Sequence, residues 1–188
     1  MSRLPPLDPK NMSGDQAEVY NSIASGARGA VRGPFTVLLH SPELARRTEQ
    51  MGVYLRFQCA VPERQRELAI CIVAAHWRAD YEWYAHADRA WKNGVSAQVL
   101  EAISSRKMPE FDDPADEAVH AYATELLREG RVSDKVYALA VDAFGASGAL
   151  DLTGLLGYYT LLALTLNAFE VDIPEDAEIP WASGTAPA

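Results

Sequence analysis

The sequence has few cysteines, a deficit of positive charge and no convincing pattern of β-strands. Its two cysteines, Cys59 and Cys71, are twelve positions apart, which is the spacing of neither a CxxC redox pair nor a zinc-binding pair. Both lie among apolar residues, so we expect buried, unreactive thiols in a reducing cytosol. The cysteines therefore give no indication of thiol redox chemistry.

The charge balance also excludes some partners. The chain has 17 Lys and Arg against 26 Asp and Glu, a formal net charge of −9. An acidic protein has no electrostatic reason to bind nucleic acid or an anionic membrane, although a locally basic pocket can still bind an anionic substrate. The N-terminal segment has no apolar core of a secretory signal, so we expect a cytoplasmic protein.

One uncharged stretch, residues 152–169, just reaches the length of a membrane-spanning helix. Thr, Asn and Gly residues interrupt it. Its flanking residues, Asp151 and Glu170, are acidic, and no Lys or Arg is present to anchor or orient it. We expect a helix that is buried within the protein or at a subunit interface, and no membrane partner.

Helix signals recur along the whole chain. Ser13 with Gln16 fits a capping box that opens a helix through residue 23, and Ser41-Pro42 indicates an N-cap and first helical residue. Residues 68–75 are apolar on every side, which predicts a central helix. A further helix is predicted to open at Pro62, and Asp80 is predicted to be the N-cap of another over about 81–93. Other caps and breakers predict helices over about 96–104, 114–129, 133–144 and 151–169. A loop is predicted at Gly33-Pro34, and breaks are predicted at Gly145 and Gly148.

The predicted fold class is therefore all-α, with about seven or eight helices in one compact domain over residues 1–188. Its central motif covers about 35–125, and its C-terminal helices cover 133–170. The tail over 171–188 contains Pro174, Pro180 and Pro187, which prevent a continuous helix, so an extended tail is expected. Trp181 is the tail residue best suited to dock on the helices.

The residues able to support chemistry lie in segment 67–103. Glu82 and His86 are four positions apart on a predicted helix and share one face. Glu67 lies on the preceding helix, which an antiparallel return could bring to the same place. A carboxylate and an imidazole beside aromatic residues can have shifted pKa values and act as general acid and base. Packing and a favourable helix dipole would also explain Glu82 and His86 without catalysis.

A metal site is an alternative use of the same region. His76, Asp80, Glu82 and His86 are rich in metal-ligand types. On one continuous helix the pair His76 and Asp80 would point away from the pair Glu82 and His86, so a break at Asp80 would be required. Because this spacing is generic, the prediction is that no metal and no other cofactor is bound.

The segment resembles the central motif of the carboxymuconolactone decarboxylase/AhpD-like family. In AhpD-type members a Glu is followed in the next helix by a CxxC pair and then, after three further residues, by a His. With Glu67 as that Glu and His86 as that His, the two Cys positions fall on Ala79 and Glu82. The similarity covers about residues 35–125 and indicates a non-redox branch, for which thiol peroxidase activity is not expected.

The resemblance implies a cofactor-free lyase acting on a small unsaturated carboxy-lactone or another intermediate of aromatic degradation. It also implies an AhpD-like helical fold and assembly as a homotrimer or homohexamer. A small-ligand-binding oligomer without catalysis, or a peroxiredoxin-type relative without thiol activity, remains an alternative.

The residue roles follow from the same resemblance. The expected catalytic residues are His86, Glu82 and Glu67, and the expected substrate-binding residues are Tyr81, Trp83 and Arg78. His86 would donate or shuttle a proton, while the two carboxylates would orient His86 or relay its proton. Arg78 would hold a substrate carboxylate, which guanidinium binds through two hydrogen bonds.

Overall fold

The computed structural model describes residues 2–181, and within that range it contains eight α-helices, one short 3-10 helix and no β-strand. The 3-10 helix is Pro9–Asn11, and the α-helices are α1 (Gly14–Ser25), α2 (Pro34–Leu38), α3 (Pro42–Phe57), α4 (Glu63–Trp77), α5 (Asp80–Lys92), α6 (Ala97–Ser104), α7 (Pro114–Glu129) and α8 (Asp134–Ala168). The predicted all-α class and number of helices are confirmed.

Half of the α-helices, α1, α6, α7 and α8, begin with a hydrogen bond to the side chain of the N-cap residue. Ser13 and Gln16 form the predicted capping box, in which each side chain accepts from the other residue's backbone N–H. Ser96 and Ser133 cap α6 and α8 by accepting from an N–H three residues on. Gly130 ends α7 in the left-handed conformation, φ 70°, that favours glycine.

Two local predictions differ from the structure. The predicted loop at Gly33-Pro34 contains the short helix α2, whose first residue is Pro34. Asp80 is the first residue of α5 and not its N-cap, because Ala79 occupies the extended cap position. The Asp80 carboxylate instead accepts a hydrogen bond from the Trp181 indole, at 2.7 Å.

Helix α8 is kinked at Gly145, where φ is 70° and ψ is 172°. The predicted break at this glycine is therefore a kink in one long element, while Gly148 lies inside the helix. By length and composition α8 could cross a membrane, with a mean hydropathy of 1.4 over its most apolar window. Half of that window is buried inside the fold.

Helix α4 is the centre of the fold and packs against α5, α6, α7 and α8. Residues 68–75, from Leu68 to Ala75, are all buried, as their lack of a polar face predicts. Burying a side chain such as Leu or Ile stabilises the fold by about 1.5–3 kcal/mol. Glu67 directly precedes this run and is held in the interior with it.

Partly buried polar contacts fix the end of α3 against α8. The Asp151 carboxylate accepts from the Tyr54 hydroxyl and from the backbone N–H of Ala60, both at 2.8 Å. These bonds hold the C-terminal turn of α3, which carries Arg56. A buried carboxylate is costly unless hydrogen-bonded, so this double contact also satisfies Asp151.

The tail from Val171 to Trp181 is extended with short turns, as its prolines predict. Trp181 docks on the start of α5, where its ring packs edge-on against Trp83 with centroids 5.2 Å apart. Pro187 lies outside the described residues.

Candidate active site

Glu67 and His86 meet in the protein interior. Helices α4 and α5 are joined by two residues, Arg78 and Ala79, and pack against each other. His86 Nδ1 lies 2.6 Å from Glu67 Oε2, and each side chain is only 7% exposed. The sequence motif therefore brings together a carboxylate and an imidazole that are nineteen positions apart.

Glu82 lies on the other side of the imidazole. Its Oε2 is 3.7 Å from His86 Nε2, and its side chain is 3% exposed. Its Oε1 is buried without a hydrogen-bond partner among residues 2–181. A buried, unsatisfied carboxylate is strongly unfavourable, so the neutral acid is preferred here.

Burial raises the pKa of Glu82 to about 8, although Arg56 and Arg28 act to lower it. Burial also lowers the pKa of His86, and the hydrogen bond to Glu67 opposes this only partly. For Glu67, burial acts to raise the pKa, but the hydrogen bond and charge of His86 outweigh it and the pKa is lowered.

These directions give one consistent protonation state near neutral pH. Glu67 is a carboxylate, and the neutral His86 donates its Nδ1–H to it. The Nε2 lone pair then faces the protonated carboxyl of Glu82. We call these three side chains the relay, and it is open between Glu82 and His86 because Oε2 and Nε2 are 3.7 Å apart.

The relay opens into a cavity of about 80 Å³, which we call the reaction cavity. It is lined by Arg28, Arg32, Pro34, Phe35, Arg56, Tyr81, Glu82, Ala85, His86, Arg89, Tyr159 and Leu162. A single water needs about 10–15 Å³ of such space, so the reacting end of a small ligand can enter.

Two tyrosines form part of the cavity wall. The Tyr159 ring meets the His86 ring edge-on at 5.2 Å, and burial raises the pKa of its hydroxyl well above the ordinary value, so it stays neutral. Tyr81 fills the space that a side chain at position 33 would need: a Cβ there would lie within 3 Å of its ring. Gly33 also has φ 58°, so glycine is required at this position for two reasons.

Four arginines at the cavity were not predicted from the sequence: Arg28, Arg32, Arg56 and Arg89. Arg89 follows Glu82 and His86 at helical spacing, which is a signal that could have been used. Arg28, Arg32 and Arg56 come from other parts of the chain and have no such signal. The same four arginines line an adjoining cavity of about 100 Å³.

The predicted substrate-binding residues occupy different places. Tyr81 lines the reaction cavity. Trp83 is buried against Trp181, and Arg78 ends α4 in a left-handed conformation, φ 49°. Neither Trp83 nor Arg78 lines the reaction cavity, and their role in substrate binding stays a prediction.

Within the described part of the chain, no group of three or more His, Cys, Asp or Glu is arranged to hold a metal ion. His76 packs against the Trp77 ring at 4.9 Å, and Asp80 binds Trp181. The four residues considered as ligands are therefore not gathered around one point.

Both cysteines are buried free thiols outside the reaction cavity. Burial raises the pKa of Cys71 well above its ordinary value, which disfavours the reactive thiolate. Cys59 Sγ donates a hydrogen bond to the Leu55 carbonyl at 3.1 Å.

A larger open cleft of about 430 Å³ lies between the start of α5, the end of α8 and the tail. It borders Tyr81 but contains neither Glu82 nor His86. Its three acids already have partners: Asp80 pairs with Trp181, Glu170 with Arg3, and Asp172 accepts from the Ser2 backbone N–H. Size alone therefore does not make it the reactive site.

The helix order and packing define an AhpD-like helical fold. No protein-family model matches the sequence, and no curated protein matches it. A solved structure described as an alkylhydroperoxidase AhpD core, an uncharacterized peroxidase-related protein from Ralstonia eutropha, is similar with a TM-score of 0.75 and 16% identity, covering 93% of each chain. An uncharacterized peroxidase-related protein from a Silicibacter species is similar with a TM-score of 0.72 and 14% identity, over 94% of this chain and 93% of that one. The predicted AhpD-like fold is confirmed, and at these identities the likeness concerns the fold alone.

Proposed function

We propose that this protein is a cofactor-free cytoplasmic lyase that acts by acid–base chemistry. Its substrate is a small unsaturated carboxy-lactone or a related intermediate of aromatic degradation. The observation that supports this is the relay itself: a buried, unsatisfied Glu82 carboxyl faces the open nitrogen of an imidazole that a second carboxylate orients. All three groups are shielded from solvent, where acid–base groups are strongly tuned.

Decarboxylation of such a substrate needs few groups. The bond between the ring carbon and the carboxylate breaks, carbon dioxide leaves, and the electron pair passes into the unsaturated lactone carbonyl as an enolate. One proton is then added at carbon, so each carbon dioxide released consumes one proton from the enzyme, which solvent restores. A positioned acid supplies that proton, and donors near the enolate oxygen stabilise its charge.

The three residues have separate roles in this scheme. Glu82 holds the proton near neutral pH because its pKa is about 8. His86 accepts and passes that proton through Nε2, while its Nδ1–H stays bound to Glu67. Glu67 fixes the tautomer and the ring orientation and is therefore a positioning residue.

Thiol peroxidase activity is not part of the proposal, although the descriptions of the two structural neighbours refer to peroxidases. Such activity needs an accessible thiolate and a resolving thiol. Here Glu82 stands where the resemblance expects a cysteine, and the two thiols are buried elsewhere. Peroxide consumption that disappears in a Cys59→Ser, Cys71→Ser double variant would contradict this.

The test is a panel of carboxy-lactones and aromatic acids, assayed by calorimetry for binding and by NMR for product and carbon dioxide. His86→Gln should retain the circular dichroism spectrum and lose turnover. His120→Gln is the matched control, because His120 packs beside Phe111 and outside the reaction cavity. An unchanged rate in His86→Gln removes the imidazole from the mechanism.

The same panel separates the enzyme from a binding protein. The reaction cavity has an aromatic wall that includes Phe35, Tyr81 and Tyr159, and such a wall can hold a ligand that does not react. Binding without product for every compound would favour that second function.

We also propose that the chain assembles as a homotrimer or homohexamer. Two neighbouring helices, α3 and α8, expose large apolar side chains at Leu44, Met51, Tyr54, Phe57, Leu150, Leu161 and Leu164. Large contiguous apolar patches on a soluble protein mark contact surfaces. A second copy of this chain is the occupant that the family resemblance suggests.

A further inference from the structure

Four arginines meet beside the reaction cavity of a protein whose net charge is −9. They line the adjoining cavity of about 100 Å³, which we call the arginine vestibule, together with Ala30 and Phe35. Arg28 and Arg32 come from the segment between α1 and α2, Arg56 from α3 and Arg89 from α5. The fold therefore gathers positive charge from three separate parts of the chain.

One of these charges is already balanced within the protein. Arg28 forms an ion pair with Glu49, and both side chains are almost fully buried. Within residues 2–181, no carboxylate forms an ion pair with Arg32, Arg56 or Arg89. Arg56 and Arg89 interact electrostatically with the Glu67 carboxylate, but no ion pair neutralises either of them. Like charges around one cavity repel each other, so the excess of positive charge favours a bound anion.

Arg28 is held rigidly at the wall. Its guanidinium donates to the Tyr158 hydroxyl at 2.8 Å and lies over the Phe35 ring, 4.4 Å from the centroid. Gly52 leaves the room for this arrangement, because a Cβ at that position would overlap both the Arg28 guanidinium and the Tyr158 hydroxyl. A preorganised guanidinium loses little entropy when an anion binds.

A second, independent observation points to a ligand in the same place. The unsatisfied Oε1 of Glu82 belongs to a side chain that lines the reaction cavity, and the four arginines border both cavities. A ligand that spans them has an acidic end at the guanidinium groups and a reacting end at Glu82 and His86.

We propose that the arginine vestibule binds the acidic end of the substrate, which is a small organic acid with at least two negative charges on carboxylate or phosphate groups. Guanidinium binds both groups through paired hydrogen bonds. Two charges match the vestibule, because three arginines without an ion pair face only one nearby ionised carboxylate, Glu67. The assignment of this ligand as the substrate rests on the proposed function. The binding of the anion itself can be tested without any measurement of turnover.

Anion binding also changes the proton affinity of Glu82, the proposed proton donor. The titratable or charged groups that act on Glu82 or respond to it are Arg28, Arg56, Glu67, Cys71, Tyr81, His86, Tyr158 and Tyr159. Among them Arg56 lowers the pKa of both Glu82 and His86. An anion on Arg56 cancels that effect, so the substrate raises the proton affinity of the group that must donate. Binding near pH 8 is therefore accompanied by proton uptake.

The experiment uses the full chain and a series of ligands of nearly equal size: succinate with two carboxylates, succinamate with one, and succinamide with none. Titration calorimetry should detect succinate, with succinamate weaker by about tenfold or more and no binding of succinamide. Inorganic phosphate is run in parallel, and its affinity relative to succinate distinguishes a phosphate site from a carboxylate site. Repeating the succinate titration in buffers of different ionisation enthalpy measures the proton uptake.

Variants identify the site. Arg56→Gln and Arg89→Gln should each weaken succinate binding by about tenfold or more. Arg47→Gln is the control, since it removes the same charge from an exposed position on α3. Arg56→Lys keeps the charge without the planar fork and should fall between wild type and Arg56→Gln.

Two results would overturn the proposal: equal affinity across the ligand series, including no binding at all, or an equal loss in Arg47→Gln. Circular dichroism and melting curves show that each variant is folded before it is titrated. Binding should survive in His120→Gln, because His120 lines neither cavity. If succinate binds as expected but no lactone is turned over, the vestibule stands and the lyase proposal fails.

Discussion

Glu82 Oε2 and His86 Nε2 face each other across 3.7 Å, a separation too long for a hydrogen bond. The other ring nitrogen is engaged by Glu67 at 2.6 Å. The two nitrogens of one imidazole therefore have different roles, since one is fixed and the other is open to a ligand. A small movement of Glu82 would close the relay.

Glu82→Gln should stabilise the protein increasingly as the pH rises. The Glu82 pKa is about 8 in the folded protein against an ordinary value of 4.5, so the carboxyl must lose its proton inside the fold at high pH. The stability associated with the neutral acid is fully present below about pH 4.5 and is lost as the pH rises to about 8. The difference between variant and wild type should therefore grow over this range and reach roughly 3–5 kcal/mol. Urea unfolding at a series of pH values measures it.

The control for that comparison is Glu129→Gln, an exposed carboxylate at the end of α7 that pairs with Arg128. Its difference from wild type should change little with pH. If the stability difference between Glu82→Gln and wild type is equally independent of pH, the pKa of the Glu82 carboxyl is not raised in the folded protein.

Glu67→Gln should lower the pKa of His86 further. Glu67 raises that pKa through its hydrogen bond and its charge, and glutamine retains only an uncharged acceptor for Nδ1–H. Titration of the His86 ring protons by NMR measures the shift, and turnover should fall by about 10–100-fold because the imidazole is less basic and less firmly oriented. Glu63→Gln, at the exposed start of the same helix, should change neither quantity; a matching shift there would indicate a general charge effect.

Gly52→Ala should disturb the arginine vestibule by displacing Arg28 from its wall. The new methyl group overlaps the Arg28 guanidinium and the Tyr158 hydroxyl, so both must move, and overpacking of this kind costs about 1–3 kcal/mol. Succinate affinity should fall together with the melting temperature. Gly14→Ala is the control, because nothing lies within 4 Å of a Cβ at that position. Unchanged succinate binding in Gly52→Ala would mean that Arg28 does not contribute to the site.

Light scattering should give a mass three or six times the 20.6 kDa of one chain. A Leu161→Glu, Leu164→Glu double variant places two charges on the exposed apolar side of α8 and should reduce that mass to one chain's. Met108→Glu, at a more exposed apolar residue in the loop after α6, should assemble normally. A wild-type mass near that of a single chain contradicts the assembly.

Local signals in the sequence predicted most of the fold. The caps at Ser13 and Ser133 and the left-handed Gly130 act within a few residues of the helix ends, so their effects can be read without tertiary information. Helix α2 was missed because five residues carry too little periodicity, and burial of Phe35 and Leu38 stabilises it instead.

The site was predictable in part for a similar reason. Glu67 and His86 lie on helices joined by two residues, so their meeting follows from a short turn and from the resembled motif. The arginine vestibule combines residues up to 61 positions apart along the chain, from Arg28 to Arg89, and no local pattern indicates that they meet. Whether Arg78 and Trp83 face the reaction cavity depends on where α4 ends and α5 begins. Sequence reasoning fixes such helix boundaries only to within a residue or two.

The edge-on contact between Trp83 and Trp181 provides a built-in optical reporter. Trp83 neighbours Glu82 in the chain, and it is one of four tryptophans in the sequence. Its emission depends on whether the tail ring is seated beside it. Fluorescence of the unlabelled protein can therefore report whether the tail stays docked during a ligand titration, and a Trp181→Phe variant separates that signal from those of the remaining indoles.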